Sequence, residues 1–227
     1  VNNPGSPTSN PRIARANLDG SAQEDLVTNN LILPAGIAVD TYRAKLYWTD
    51  LEGSLDGTGK IQRSNLDGSN VETLATGIDE ANGLAVDPIG AKIYWPELAT
   101  KKIQRANLDG TDIQDLVTNL DNPTAIALDV AEGKMYWTDG RSDFVVQVNR
   151  ISRANFDGSG VEVIVSGVGH PWGIAVESRP TCLPHGATAT ATLANGFLVV
   201  IDIIDGGWGY TNAPYVRISG GGGNGAV

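Results

Sequence analysis

The sequence predicts an all-β protein built from repeated four-stranded sheets, on three observations. The stretch Lys45-Leu46-Tyr47-Trp48-Thr49-Asp50 returns as Lys92-Ile93-Tyr94-Trp95-Pro96-Glu97 and again as Lys134-Met135-Tyr136-Trp137-Thr138-Asp139. The tetrapeptide Asn17-Leu18-Asp19-Gly20 recurs at Asn65, Asn107 and, with Phe156 in place of Leu, at Asn155, at spacings of 48, 42 and 48 residues. Apolar runs opening at Gly36, Gly83, Ala125 and Gly173 follow the same beat, 47, 42 and 48 residues apart. A period in the forties, made of short apolar runs divided by Asp-Gly and Pro turns, is what the four-stranded blade of a β-propeller produces.

Each strand of the unit can be read from its residues. In the first complete unit, residues 37–40 are a short apolar run suited to a strand buried on both faces, and residues 46–50 form an aromatic, Thr-containing second strand. Residues 60–65 alternate as a third strand, Asp67-Gly68 supplies a tight turn, and residues 71–75 make the fourth. Unit length varies in one place, the loop between second and third strands, which spans 51–59, 98–101 and 140–149. Such variation marks surface loops on one rim.

The chain opens on the third and fourth strands of a blade (12–17 and 24–28), runs through three whole blades, and reaches the first strand of another at 173–177. That amounts to about 3.5–4 blades. Residue 1 is not Met, and the sequence is expected to be a fragment or a processed product. After residue 177 the repeat stops. Residues 178–186, with two Pro and Cys182, read as a linker. Residues 187–227 read as a small Gly-rich β module with strands at 187–194, 197–204 and 215–219 and a hairpin turn at Asn195-Gly196.

Composition narrows the function. Among 227 residues, 41% are hydrophobic, enough for a core, and the net charge of -10 disfavours nucleic acid and anionic membranes, which draw on clustered Lys and Arg. No apolar run approaches the roughly 20 residues of a membrane helix, so no membrane span is expected. A single cysteine allows no intramolecular disulfide. The two histidines, His170 and His185, have no carboxylate or Cys at ligand spacing, so neither a zinc site nor a Ser-His-Asp arrangement is supported. No catalytic residue, metal or cofactor is assigned. The repeated Asn-x-Asp-Gly is read as turn chemistry rather than a calcium loop, which would carry further oxygen ligands at close spacing.

Residues that recur in every unit are expected to pack. Trp48, Trp95 and Trp137, with Tyr47, Tyr94 and Tyr136, are assigned to the core, because a packing position must repeat and a ligand shelf need not. If the Trp face of the second strand coincides with the face of the third that carries Arg, then Asp50 meets Arg63, Glu97 meets Arg105 and Asp139 meets Arg153 as cross-strand ion pairs.

Together the Tyr-Trp-Thr-Asp strand, the Ile-x-Arg-Ala-Asn-Leu-Asp-Gly segment and the Gly-Ile-Ala-Val-Asp strand resemble the class B repeats of the low-density lipoprotein receptor, or YWTD repeats, from Arg12 to about Glu177. The resemblance implies a six-bladed propeller used outside the cell as a non-enzymatic recognition platform or spacer. The fold class expected is thus a partial YWTD-type β-propeller with a C-terminal Gly-rich β module. That module resembles Gly-rich tandem repeats of bacterial and phage surface proteins, which points to a secreted or cell-surface location.

Recognition is assigned to what does not repeat. The loops entering the first strands read Leu33-Pro34-Ala35, Glu80-Ala81-Asn82, Asn122-Pro123-Thr124 and His170-Pro171-Trp172, and Trp172 stands where the others are small or polar. Candidate rim contacts are His170 and Trp172, with Arg141, Asp143 and Phe144 of the longest loop. A protein partner, or self-association through open blade edges, is expected. The alternatives are a propeller hydrolase or lactonase with a channel metal, and a structural subunit of a surface or filamentous assembly.

Overall fold

The computed structural model describes residues 10–51, 58–140, 149–169 and 171–176, together with the strand backbones of residues 188–194 and 197–205. The chain divides into two compact units, Val1–Ser178 and Arg179–Val227. Among the described residues all helical or strand structure is β.

The first unit begins with a two-stranded sheet of β1 (Ile13–Arg15) and β2 (Glu24–Val27). Three four-stranded antiparallel sheets follow, each with its strands in chain order. They are β3 (Pro34–Asp40), β4 (Lys45–Asp50), β5 (Gly59–Asn65) and β6 (Glu72–Ile78); then β7 (Ala85–Asp87), β8 (Lys92–Glu97), β9 (Lys102–Asn107) and β10 (Gln114–Val117); then β11 (Pro123–Asp129), β12 (Lys134–Asp139), β13 (Arg150–Asn155) and β14 (Glu162–Ser166). Half a blade and three whole ones make a partial YWTD-type β-propeller. The strand expected at 173–177 does not form in residues 171–176, and Glu177 lies outside the described residues.

Alternation in the second strand puts its two aromatics on opposite faces. Trp48 packs backward with Ile13, Val27 and Leu31 of the preceding half blade. Tyr47 packs forward with Ile93 and Trp95 of the next blade, and Tyr94 in turn packs with Trp137. All three Trp are 0% exposed. Each such ring removes roughly 150–250 Å² from water at about 25 cal/mol per Å², far more than an exposed ion pair returns. The blades are held by aromatics meeting across their faces.

Near the propeller axis the inner strands approach closely. A Cβ on Gly36 would lie 2.7 Å from the carbonyl carbon of Gly83, so only glycine fits there. The Asn-x-Asp-Gly tetrapeptides turn the chain between third and fourth strands. Asp67 Oδ1 accepts from the Ser69 amide at 2.9 Å and the Ser69 hydroxyl at 2.6 Å, and Asn65 Oδ1 accepts from Lys45 Nζ at 2.6 Å. The two bonds to Asp recur at Asp19, Asp109 and Asp157, and the Lys bond to Asn recurs as Lys92 to Asn107 and Lys134 to Asn155. These hydroxyl and amide donors hold all four carboxyls below their usual range. The carboxylates are committed to the turn itself.

The expected ion pairs are corrected by register. Tyr47 lies opposite Arg63 and Asp50 opposite Lys60, so Asp50 and Arg63 are three positions apart on opposite faces. The same offset separates Glu97 from Arg105 and Asp139 from Arg153. A change of one in parity moves every side chain to the other face. The carboxylates instead meet Lys60 at 3.8 Å, Lys102 at 3.8 Å and Arg150 at 2.7 Å. Each arginine meets the fourth strand nine residues on: Arg63 pairs with Glu72 at 2.7 Å, Arg153 with Glu162, and Arg105 hydrogen-bonds Gln114.

In the second unit β15 (Thr188–Ala194) and β16 (Phe197–Asp205) pair antiparallel, with Ala194 opposite Phe197. The two-residue link Asn195-Gly196 and the expected strand at 215–219 lie outside the described residues.

Candidate functional site

The rim that carries the first-strand entry loops is shaped by the last two residues of the Tyr-Trp-Thr-Asp strand. Asp50 Oδ1 accepts from the Leu33 amide at 2.6 Å and the Ile32 amide at 3.1 Å, and the Thr49 hydroxyl accepts from the Gly36 amide at 2.8 Å. The pairing of β3 with β4 slips between Pro34 and Ile37; Thr49 takes up the Gly36 amide that the slip leaves without a ladder partner, and Asp50 takes up two amides just ahead of the strand. The third whole blade repeats the device. Asp139 Oδ1 accepts from Asn122 at 2.6 Å and Asp121 at 3.2 Å, and Thr138 accepts from Ala125 at 3.0 Å. Both aspartates are 0% exposed, so these bonds form away from competing water.

The middle blade breaks the device. Pro96 has no hydroxyl, and Glu97 turns to the Trp95 indole at 3.4 Å and the Thr100 hydroxyl instead. Its first strand shrinks accordingly: β7 has three residues where β3 and β11 have seven. Residues 79–84 run free of the ladder, with Asp79 Oδ1 buried without a partner. Burial, with Asp79 adding to it, pushes the Glu80 carboxyl up.

Asn82 of this loop, Leu98, Asn122, Thr124, Gly140, Pro171 and Trp172 line an open depression of about 130 Å³. That is well under the roughly 300–1,000 Å³ of a small-molecule pocket and suits a single anchoring side chain. Trp172 is 74% exposed beside it. Behind Gly140 lies Asn149, fully buried, with both amide atoms lacking a partner. Of the predicted rim residues the structure thus places Trp172 at a depression. His170, Arg141, Asp143 and Phe144 lie outside the described residues. Leu98 and Gly140 were not foreseen, although each directly follows the carboxylate closing the second strand, a position that must reach the same rim. Among the described residues no three His, Cys, Asp or Glu side chains are placed to hold a metal ion, and no helix is long and apolar enough to cross a membrane.

The repeats match known proteins. The sequence profile of the low-density lipoprotein receptor repeat class B matches residues 44–88, 91–130 and 133–176, more than half of the chain. Vitellogenin receptor Yl of Drosophila melanogaster is 34% identical over 92 residues, 40% of this chain and 4% of that protein. Low-density lipoprotein receptor-related protein 5 of Mus musculus is 39% identical over 82 residues, 36% of this chain and 5% of that protein. The chain therefore spans only a small part of these relatives. A chain of the crystal structure of a nidogen/laminin complex superimposes with a TM-score of 0.64 at 26% identity, covering 74% of this chain and 62% of that one. Three consecutive repeats matched on profile, sealed by a superposition over most of the first unit, place this chain in the low-density lipoprotein receptor repeat class B family.

Proposed function

We propose that this chain is a non-enzymatic, extracellular protein-binding module that takes its partner on the rim at Trp172. The relatives are a receptor, a receptor-related protein and a chain from a protein complex, which supports binding over catalysis and an extracellular place of work. The observation that carries the reading is the contrast among indoles. Trp48, Trp95 and Trp137 are 0% exposed and Trp172 is 74% exposed, next to a depression between irregular loops. An exposed Trp beside such a depression suits a binding anchor, because interfaces draw most of their energy from a few aromatic and Arg side chains.

The test is capture from an extracellular-matrix extract with immobilised wild-type chain and Trp172→Ala, followed by affinity measurement on the protein retained. Unchanged thermal melting with binding weakened at least about 30-fold is expected of a hot-spot Trp. Equal binding by the variant would remove the rim assignment, and no retained protein would remove the binding reading altogether.

A further inference from the structure

Gly83 differs from its counterparts in the blades on either side. In the first whole blade the Gly36 amide donates to the Thr49 hydroxyl at 2.8 Å, and in the third the Ala125 amide donates to the Thr138 hydroxyl at 3.0 Å. In the middle blade Pro96 takes the threonine's place, and among the described residues the Gly83 amide has no acceptor. The chain around it is held loosely. β7 does not begin until Ala85, and Glu80 sits at φ 53°, a left-handed conformation unfavourable to a residue with a Cβ, which neither Leu33 nor Asn122 adopts at the same place.

The residue ahead of this free amide is Asn82, where the other two blades have Ala35 and Thr124. Of the described asparagines it alone is followed by glycine. Each of the others precedes a larger side chain, which crowds the backbone nitrogen, or proline, which has no N–H. Asn82 is half-buried, and its own side-chain amide is held by a 3.5 Å contact to the Glu80 carbonyl. An electrophilic side-chain carbonyl, an unhindered backbone nitrogen and a missing hydrogen bond therefore coincide at one peptide link.

We infer that Asn82 is a site of spontaneous deamidation, left open by Pro96. Solvent hydroxide takes the Gly83 amide proton, and the nitrogen attacks Cγ of Asn82. A bond forms from Cγ to the Gly83 nitrogen, the bond from Cγ to Nδ2 breaks, and Nδ2 takes a proton from water and leaves as ammonia, which returns the hydroxide. Water then opens the succinimide ring at either carbonyl, so position 82 ends as an aspartyl or an isoaspartyl residue, with nothing oxidised or reduced. Either product carries a carboxylate, and a neutral wall of the depression beside Leu98 and Thr124 becomes negative. The isoaspartyl product also routes the main chain through the former side chain and so lengthens it. Space is short there, since a Cβ on Gly83 would already lie 3.0 Å from Cα of Ala125 and from the Thr124 carbonyl oxygen. That product should loosen the packing of the middle blade on the third. The inference concerns this peptide link alone and holds whatever partner the rim takes.

Peptide mapping by mass spectrometry, on the whole chain held at mildly alkaline pH, tests the inference. Conversion at position 82 is expected in the folded wild type at a rate within about tenfold of that in urea, because a segment outside the ladder opens at little cost. Pro96→Thr returns an acceptor to the Gly83 amide, and Pro96→Val has nearly the same shape without the hydroxyl; circular dichroism checks that both fold. The threonine variant should convert about tenfold more slowly than the valine variant when folded, and equally fast in urea. Asn82→Gln should abolish conversion at this position on the same timescale, because the larger ring closes far more slowly. Equal folded rates for the two variants at position 96, or a wild-type Asn82 that keeps its amide when folded while losing it in urea, would each overturn the inference.

Discussion

Arg105 Nη1 donates to the Phe156 carbonyl at 2.8 Å across 51 residues of sequence, while its Nε and Nη2 hold the Gln114 side chain at 3.1 and 2.9 Å. One guanidinium therefore ties its own blade's fourth strand and the next blade's turn. Only a planar fork with several donors can face both directions at once. The same residue type at the same place in each blade acts as the fastener between neighbours.

Arg105→Ala should destabilise the first unit by about 2 kcal/mol, the scale of a hydrogen bond to a charged group. Arg105→Lys should recover less than half of that, because an ammonium cannot span both acceptors. Urea denaturation with an unchanged slope measures both values. A loss no greater than that of an exposed ion pair, under about 1 kcal/mol, would show that the aromatic packing alone joins the blades.

Thr138→Val leaves the Ala125 amide without its acceptor and should cost about 1–3 kcal/mol. The reverse experiment is available in the middle blade. Pro96→Thr supplies a hydroxyl where Thr49 and Thr138 have one, and hydrogen exchange at the Gly83 amide should slow as β7 lengthens toward its seven-residue counterparts. Unchanged exchange at Gly83 would mean that something other than the missing hydroxyl shortens that strand.

Ser152→Gln should stabilise by about 1 kcal/mol. Trp48 Nε1 donates to Gln62 at 3.2 Å, whereas the buried Trp137 Nε1 has no partner, and the residue opposite it is the short Ser152. Gln already occupies this position in the other two blades, as Gln62 and Gln104. A rise in the urea midpoint checks the gain, and a fall would show that the third blade has no room for the longer side chain.

Acid should loosen the turns. The Asp19, Asp67, Asp109 and Asp157 carboxyls are held below their ordinary range by the Ser or Thr hydroxyl and amide two residues on. In the unfolded chain they titrate near 3.9, so their stabilisation is complete above about pH 4 and is lost as pH falls through the lower folded values. Asp67→Asn and Asp109→Asn keep the acceptor oxygen without the charge. Together they should flatten the acid limb of the stability curve below about pH 4, and an unaltered limb would place acid sensitivity elsewhere.

Much of the fold was legible in one dimension because a propeller blade is a local meander. Strand order, turn position and the buried aromatics all follow from a repeat whose neighbours in sequence are neighbours in space. The Arg63 to Glu72 contact was legible too, though it was not drawn: the nine-residue interval about Asp67-Gly68 is the same in all four units, and a tight turn transmits register faithfully. The Asp50 to Arg63 pairing failed because a loop of changing length separates those strands and carries no information on parity. Trp172 stood out as a departure from the repeat, but its neighbours Leu98 and Gly140 did not, since a depression is made by loops of different blades.

By itself, then, the sequence determined an all-β chain of four-stranded repeats, the turn chemistry of Asn-x-Asp-Gly, and which aromatics recur. Only the tertiary structure decided which face each arginine and aspartate occupies, that Thr49 repairs a slipped ladder while Asp50 holds the loop ahead of it, and that each blade's arginine closes on a turn in the next. Those contacts join residues 45 to 51 positions apart or depend on strand parity. Both are properties of how sheets pack and pair, and a local pattern of residues does not encode them.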